Sequence, residues 1–121
     1  MKRQKIGKFS EKVVVALGLS IEPDTPIYIG ASNLTHMANT HPADFLQYGQ
    51  DVASIINKPD YVGVNPSDGS VEFVKEYQQG TEFVKVAVRV STGGTHYART
   101  IYKLKDSRVK NFIAKGTLKK I

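Results

Sequence analysis

The stretch from Thr81 to Leu104 constrains the fold most, because it contains two strand-length segments separated by a glycine-rich turn. In the first segment, TEFVKVAVRV, every second residue from Val84 to Val90 is a valine, and the residues between them are Lys85, Ala87 and Arg89. A period of two residues is typical of a β-strand with one buried face and one solvated face. The sequence STGG then predicts a hairpin turn into THYARTIYKL. An antiparallel strand pair with a valine-lined core face is therefore expected.

Two more strands precede this pair, and helices precede the strands. YVGV and VEFVKEY, separated by the turn NPSDGS, extend the antiparallel sheet to four strands. PADFLQYGQDVASIIN, residues 42–57, has a broad apolar stripe at helical spacing, begins with a proline and ends before Pro59. NLTHMANT predicts a shorter helix capped by Ser32 or Asn33. We therefore expect an α+β fold in which N-terminal helices pack on a four-stranded antiparallel sheet.

The remaining segments are less regular. FSEKVVVALGL is either a helix starting at Ser10 or a strand, since its valine triplet suits both. TPIYIG, residues 25–30, is a short strand, and the basic end after Lys105 contains one helical turn before Gly116. We expect one domain over residues 1–121.

Composition excludes several classes of protein. The chain is 40% apolar and 23% charged, which is ordinary globular usage. It has no apolar run of the roughly 20 residues that a membrane span requires, and the basic start lacks a cleavage site for export. The absence of cysteine excludes disulfides and thiolate zinc sites. We expect a soluble protein with no membrane contact.

The net charge of +6 is unevenly distributed. From Lys85 onward there are ten Lys or Arg residues against one acid, whereas residues 21–82 contain nine acids and two lysines. This uneven distribution of charge indicates a basic surface for a phosphate-rich partner. The alternative is a solvated basic tail.

The segment THMANTHPADF raises the question of a histidine site. On one helix, residues five apart point about 140° apart, so His36 and His41 would not converge on a metal ion. His96 is the third histidine, and no carboxylate lies at a sequence spacing from it that is typical of a metal site. We therefore expect no metal and no cofactor. Two interpretations of the histidines remain. They transfer protons near neutral pH, or they are ordinary surface or structural residues.

The last strand has more polar side chains than a structural strand requires. If Gly93 and Gly94 form a two-residue turn, Arg89 pairs with Ala98, Ala87 with Thr100 and Lys85 with Tyr102. This register collects polar side chains on the face opposite the valines: Lys85, Arg89, Ser91, His96, Thr100 and Tyr102. It leaves Arg99 on the valine side, and a shift by one residue would reverse the last strand. A merely solvated polar face is the alternative.

Taken in order, IYIGASNLTHMANTHP, PDYV, VEFVKEY and ARTIYKLK resemble the phage-associated ribonuclease-like families of the superfamily of barnase, EndoU, colicin and RelE toxins. The resemblance covers residues 27–105. It implies helices on one side of a four-stranded antiparallel sheet. It also implies metal-independent cleavage of RNA, in which the 2′-hydroxyl attacks the neighbouring phosphorus.

The resemblance assigns roles to individual residues. The implied catalytic set has one of the two histidines as acid or base, two basic phosphate contacts and two hydrogen-bonding positioners: His36, His41, Lys75, Arg99, Thr100 and Tyr102. The residues expected to bind nucleic acid are Lys85, Arg89, His96, Lys103 and Lys105. A noncatalytic RNA-binding or virion-associated module with the same fold is the alternative, and an assembly component without nucleic-acid contact is a third interpretation.

Partners and location follow from the same resemblance. RNA is the expected partner, and an immunity or antitoxin protein is a candidate second one. The expected site of action is the host-cell cytoplasm, reached with a phage or mobile element.

Overall fold

A computed structural model describes residues 3–121 and contains one seven-stranded mixed sheet. The strand order is β1-β2-β6-β5-β4-β3-β7, and every neighbouring pair is antiparallel except the parallel pair β2–β6. The strands are β1 Gln4–Lys8, β2 Pro26–Ile29, β3 Tyr61–Val64, β4 Val71–Tyr77, β5 Glu82–Arg89, β6 His96–Leu104 and β7 Lys119–Lys120.

In the described residues five α-helices accompany the sheet: α1 Glu11–Leu17, α2 Ala31–Thr40, α3 Pro42–Tyr48, α4 Val52–Asn57 and α5 Asp106–Lys115. The ambiguous valine triplet lies in α1, because Ser10 caps the helix by accepting a hydrogen bond from the Val13 N–H. Gly18 ends α1 in the left-handed region, at φ 61°. Within residues 3–121, no helix has the length and apolar character needed to cross a membrane.

The valine pattern of β5 is confirmed as the core face. Val84, Val86 and Val88 are fully buried, and Val90, beyond the end of β5, is 37% exposed. Val84, Val86 and Val88 belong to one apolar cluster with residues of α1 to α4, including Val52 and Ile56. The prediction that Val90 is also buried was wrong, because Val90 lies outside this cluster, beyond the last residue of the strand. The first four helices therefore cover one face of the sheet, which we call the inner face.

The opposite, outer face is divided into two halves. At one end α5 covers a second apolar cluster of Val74, Phe83, Leu104, Val109 and Leu118. At the other end, the part of the chain that the structure describes places no helix over the sheet. We call this second half the open face; it is formed by Glu72, Lys85, Ala87, Arg89, Tyr97, Arg99, Thr100 and Tyr102.

The prediction of four strands beneath N-terminal helices was wrong in two respects. The sheet has seven strands, and α5 is C-terminal and packs on the outer face. β1 escaped prediction because its sequence QKIGK has one apolar residue and no alternation, and its pairing with β2 is irregular. β7 has only two residues. It reaches β3 where the chain passes Gly63 so closely that a Cβ there would lie 2.1 Å from the Thr117 carbonyl oxygen.

The helix expected over residues 42–57 is interrupted. Gly49–Asp51 forms a 3₁₀ turn between α3 and α4. Gly49 is a poor helix former, and it packs closely under the Phe45 ring, where an added Cβ would lie 3.0 Å from two ring carbons. At the break Tyr48 is buried, its ring 4.8 Å from that of Tyr77 and its hydroxyl hydrogen-bonded to Glu82. Burial and the bond to Glu82 raise the pKa of Tyr48 to about 12.

Truncating a buried valine of β5 should destabilise the protein measurably. We expect Val86→Ala to lower the free energy of unfolding by roughly 1 to 3 kcal/mol through lost buried methyl groups and the resulting cavity. Val90→Ala is the matched control, because Val90 is partly exposed. Denaturant unfolding of both variants tests the inner face, and equal losses would contradict it.

Candidate active site

A β-bulge in β6 sets which side chains reach the open face. Ala87 pairs with Thr100 and Lys85 with Tyr102, as the sequence predicted, but Val88 pairs with Ala98. Arg99 is thus the extra residue of the bulge. Beyond it Arg89 pairs with Tyr97 instead of the predicted Ala98, because the connection between β5 and β6 is longer than two residues. The bulge removes the conflict that had left Arg99 on the valine side.

Arg99 and Arg89 consequently line one cleft, of about 680 Å³, at the end of the open face. The cleft is bounded by the β5–β6 turn, by Tyr97 and by Asn33 of α2. Within residues 3–121 neither guanidinium forms an ion pair with a carboxylate. Two unpaired guanidinium groups beside a tyrosine suit a phosphate ligand.

His41 lies at the junction of α2 and α3, where Pro42 is the first residue of α3. Its backbone, at φ −140° and ψ 66°, is not helical, so the chain turns at this residue. The imidazole stacks on the Tyr102 ring, with centroids 4.6 Å apart and planes 27° from parallel. One turn later Asp44 accepts a hydrogen bond from the Lys103 N–H at 3.0 Å, which fixes α3 to the edge of β6. The half-buried His41 is thereby held at the open face.

Tyr102 also contacts a buried ion pair. Lys85 Nζ lies 4.7 Å from the centre of the Tyr102 ring and 2.8 Å from Glu72 Oε2. Burial lowers the pKa of Lys85, but its hydrogen bond to Glu72 and its contact with Tyr102 outweigh burial, so the pKa is raised overall and the amine stays charged. His41, Tyr102, Lys85 and Glu72 form one line of contacts from the edge of β6 to β4.

The sequence model of the family described as phage-Barnase-EndoU-ColicinE5/D-RelE like nuclease 3 matches residues 4–111. The chain belongs to this family. The match includes every strand from β1 to β6, the whole open face and His41, and it confirms the resemblance seen in the sequence. Neither the search of curated proteins nor the search of solved structures found a match.

Not every residue implied by the resemblance lies on the open face of this nuclease-family protein. Lys75 pairs with Val84 and points to the inner face, where its Nζ donates to the Lys58 carbonyl oxygen at 2.8 Å. It therefore binds the end of α4 and lies on the opposite side of the sheet from Arg99. His36 is exposed on α2, one turn from Asn33. Thr100 is half-buried on the open face beside Arg99.

His96 occupies the core instead of the polar face predicted for it. It is 4% exposed, and its ring meets Phe9 edge-on at 5.4 Å. Its Nδ1 accepts a hydrogen bond from the Ser91 N–H at 3.1 Å, and burial lowers its pKa. A neutral histidine that holds the β5–β6 turn accounts for these contacts.

The predicted basic contacts are also divided between surfaces. Lys85 and Arg89 lie on the open face, whereas Lys103 pairs with Glu82 at 3.3 Å and Lys105 is exposed just before α5. The basic residues from Lys85 onward therefore form neither a solvated tail nor one continuous basic surface.

Two residues that sequence analysis did not single out contribute to this region, Glu72 and Arg3, together with Asn33, which it named only as a candidate helix cap. Glu72 could have been found from the pairing of VEFVKEY with the valine strand, which places it beside Ala87 on the polar face. No sequence signal marked Arg3. Among the residues that the structure describes, no three His, Cys, Asp or Glu side chains cluster as metal ligands would.

Proposed function

We propose that this protein is a ribonuclease that cleaves RNA by transesterification on the open face, with His41 transferring one of the two protons. The observation that carries the proposal is the position of His41, stacked on Tyr102 beside the Lys85 ammonium group. Membership of a nuclease family supports the reaction class. The substrate, the mechanism and the residue roles are our inference.

The reaction needs little more than acid, base and charge stabilisation. A base removes the 2′-hydroxyl proton, the oxygen forms a bond to phosphorus, and the bond from phosphorus to the 5′-oxygen breaks as an acid protonates that oxygen. A histidine can take or give this proton at neutral pH. We assign one transfer to His41 because, unlike the exposed His36, it is held by both the sheet and the α2–α3 junction.

The cations of the open face would stabilise the negative charge that develops on the phosphorane. Arg99 and Arg89 approach it from the cleft, and Lys85 from the strand beside Tyr102. Thr100, between Arg99 and Tyr102 along β6, supplies a hydroxyl to orient the phosphate. Lys75 has no part in this proposal because it lies on the inner face.

The chemistry can be tested on the unaltered protein. We expect RNA to be cut in the presence of EDTA and to yield 2′,3′-cyclic phosphate ends, because the nucleophile is the substrate's own hydroxyl. The same strand with a single 2′-deoxy nucleotide at the cut position should resist cleavage there. Cleavage that EDTA abolishes and added metal restores, or cutting at the deoxy position, would contradict the mechanism. RNA binding without any cleavage would favour the noncatalytic module.

A further inference from the structure

Two clefts meet at Tyr97, at the end of the open face away from His41. The larger, of about 680 Å³, contains Arg89 and Arg99. The smaller, of about 360 Å³, contains Arg3 and the start of α2. Tyr97 and Asn33 line both clefts, so the tyrosine ring stands between them. A volume of several hundred Å³ is that of an ordinary small-ligand site.

The charge around Tyr97 has one sign. Arg3, Arg89 and Arg99 line the two clefts, and none of the described residues that line them is acidic. Arg3 lies 4.4 Å from the centre of the Tyr28 ring, and the centres of the Tyr28 and Tyr97 rings are 6.3 Å apart. Tyr97 is half-buried and lines both clefts, beside Arg3 in the smaller one.

The other rings on the outer face have different contacts. Tyr102 is contacted by His41 and by Lys85. Phe83 is 5% exposed and belongs to the cluster beneath α5. Tyr28, the neighbour of Tyr97, has the Arg3 guanidinium over its ring. Tyr97 is therefore the aromatic residue that lines the two clefts.

We propose that the clefts at Tyr97 form a nucleotide subsite, in which an unstacked base lies against the Tyr97 ring and Arg89 and Arg99 bind its phosphate. An aromatic ring within a basic groove is the usual arrangement for binding single strands, because every base has a face that can stack. A base within a duplex is already stacked and paired, so it cannot occupy this position. The subsite therefore selects single-stranded nucleic acid. It deepens the proposed function by giving its substrate class.

The experiment measures binding apart from cleavage. A fluorescent single-stranded oligonucleotide with 2′-deoxy sugars throughout has no attacking hydroxyl, so its affinity can be measured on the active protein. We expect Tyr97→Leu, which keeps an apolar side chain but no aromatic ring, to weaken binding about 10-fold to 100-fold. Tyr97→Phe keeps the ring and should retain most of the affinity. A duplex of the same sequence should bind more weakly and respond little to either change.

Scanning the oligonucleotide with single abasic sites locates the stacked base. At one position the abasic site should weaken binding to the parent protein and have little further effect on Tyr97→Leu, because both changes remove the same contact. Arg89→Gln should also weaken binding, whereas Lys12→Gln should not, since Lys12 is on α1 over the inner face. Circular dichroism and thermal unfolding verify that each variant is folded.

Equal affinity of folded Tyr97→Leu and the parent protein, or equal affinity for duplex and single strand, would overturn the subsite. Additive effects of Tyr97→Leu and every abasic site would overturn the stacking contact. The proposed ribonuclease activity fails separately, if the deoxy strand binds as expected and RNA is not cut.

Discussion

His41→Ala is expected to slow RNA cleavage by about 10²-fold to 10⁴-fold, the usual cost of losing a general acid or base. His36→Ala is expected to stay within a few-fold of the parent protein. The two histidines are five residues apart, but the structure places them differently. His41 stacks on Tyr102 at the open face, whereas His36 is exposed on α2. The measurement is the single-turnover rate on a short RNA with saturating protein.

A second variant at the same position separates proton transfer from a structural role of His41. His41→Phe is a useful companion, because it keeps a ring against Tyr102 but cannot carry a proton. If His41→Phe is folded and cleaves as fast as the parent, or if His36→Ala shows the large loss, the assignment of His41 is wrong.

The strands that could be predicted from the sequence share one physical cause. β3 to β6 are antiparallel neighbours joined by short connections, and the inner face buries alternate residues of β4 and β5: Val71 and Phe73, and Val84, Val86 and Val88. The valine face of β5 and two of its pairings with β6 could therefore be predicted from the sequence. The family could be predicted because its motifs are recognised by their order in the sequence. The histidine segment comes first, the strand with Lys75 follows, and ARTIYKLK comes last.

The bulge at Arg99 could not be predicted from alternation. An extra residue reverses the face of everything beyond it, and the sequence around ARTIY carries no glycine to mark it. His96 was misplaced for this reason: the assumed two-residue turn put it on the polar face, and the longer connection turns it toward Phe9.

Lys75 shows a different limit of sequence analysis. It occurs between Val74 and Glu76, and alternation in β4 correctly places it opposite Glu72 and Glu76. What the sequence does not show is that the end of α4 offers the Lys58 carbonyl oxygen as a partner within reach of Nζ. A lysine at the end of an inner face can be satisfied by a helix terminus, so its charge alone does not indicate a phosphate contact.

Lys85→Met is expected to lower the free energy of unfolding by roughly 2 to 4 kcal/mol, because it leaves the Glu72 carboxylate without its cation. The two side chains are only 10% and 14% exposed and their charged atoms are 2.8 Å apart. For a chain of this length the loss corresponds to a fall in melting temperature of roughly 10 °C.

The double variant Lys85→Met/Glu72→Leu separates the contribution of Lys85 to folding from the charge stabilisation that we propose for it in catalysis. Removing both charges leaves no uncompensated ion, so most of the lost stability should return, as it does when other buried pairs are replaced by apolar side chains. Cleavage should stay slow, because the open face still lacks the Lys85 cation beside Tyr102. Lys110→Met is the control, since Lys110 pairs with Asp106 at the exposed surface of α5 and its loss should cost well under 1 kcal/mol. A double variant that is both stable and fully active would show that Lys85 serves only the fold, and the charge stabilisation assigned to it would then be wrong.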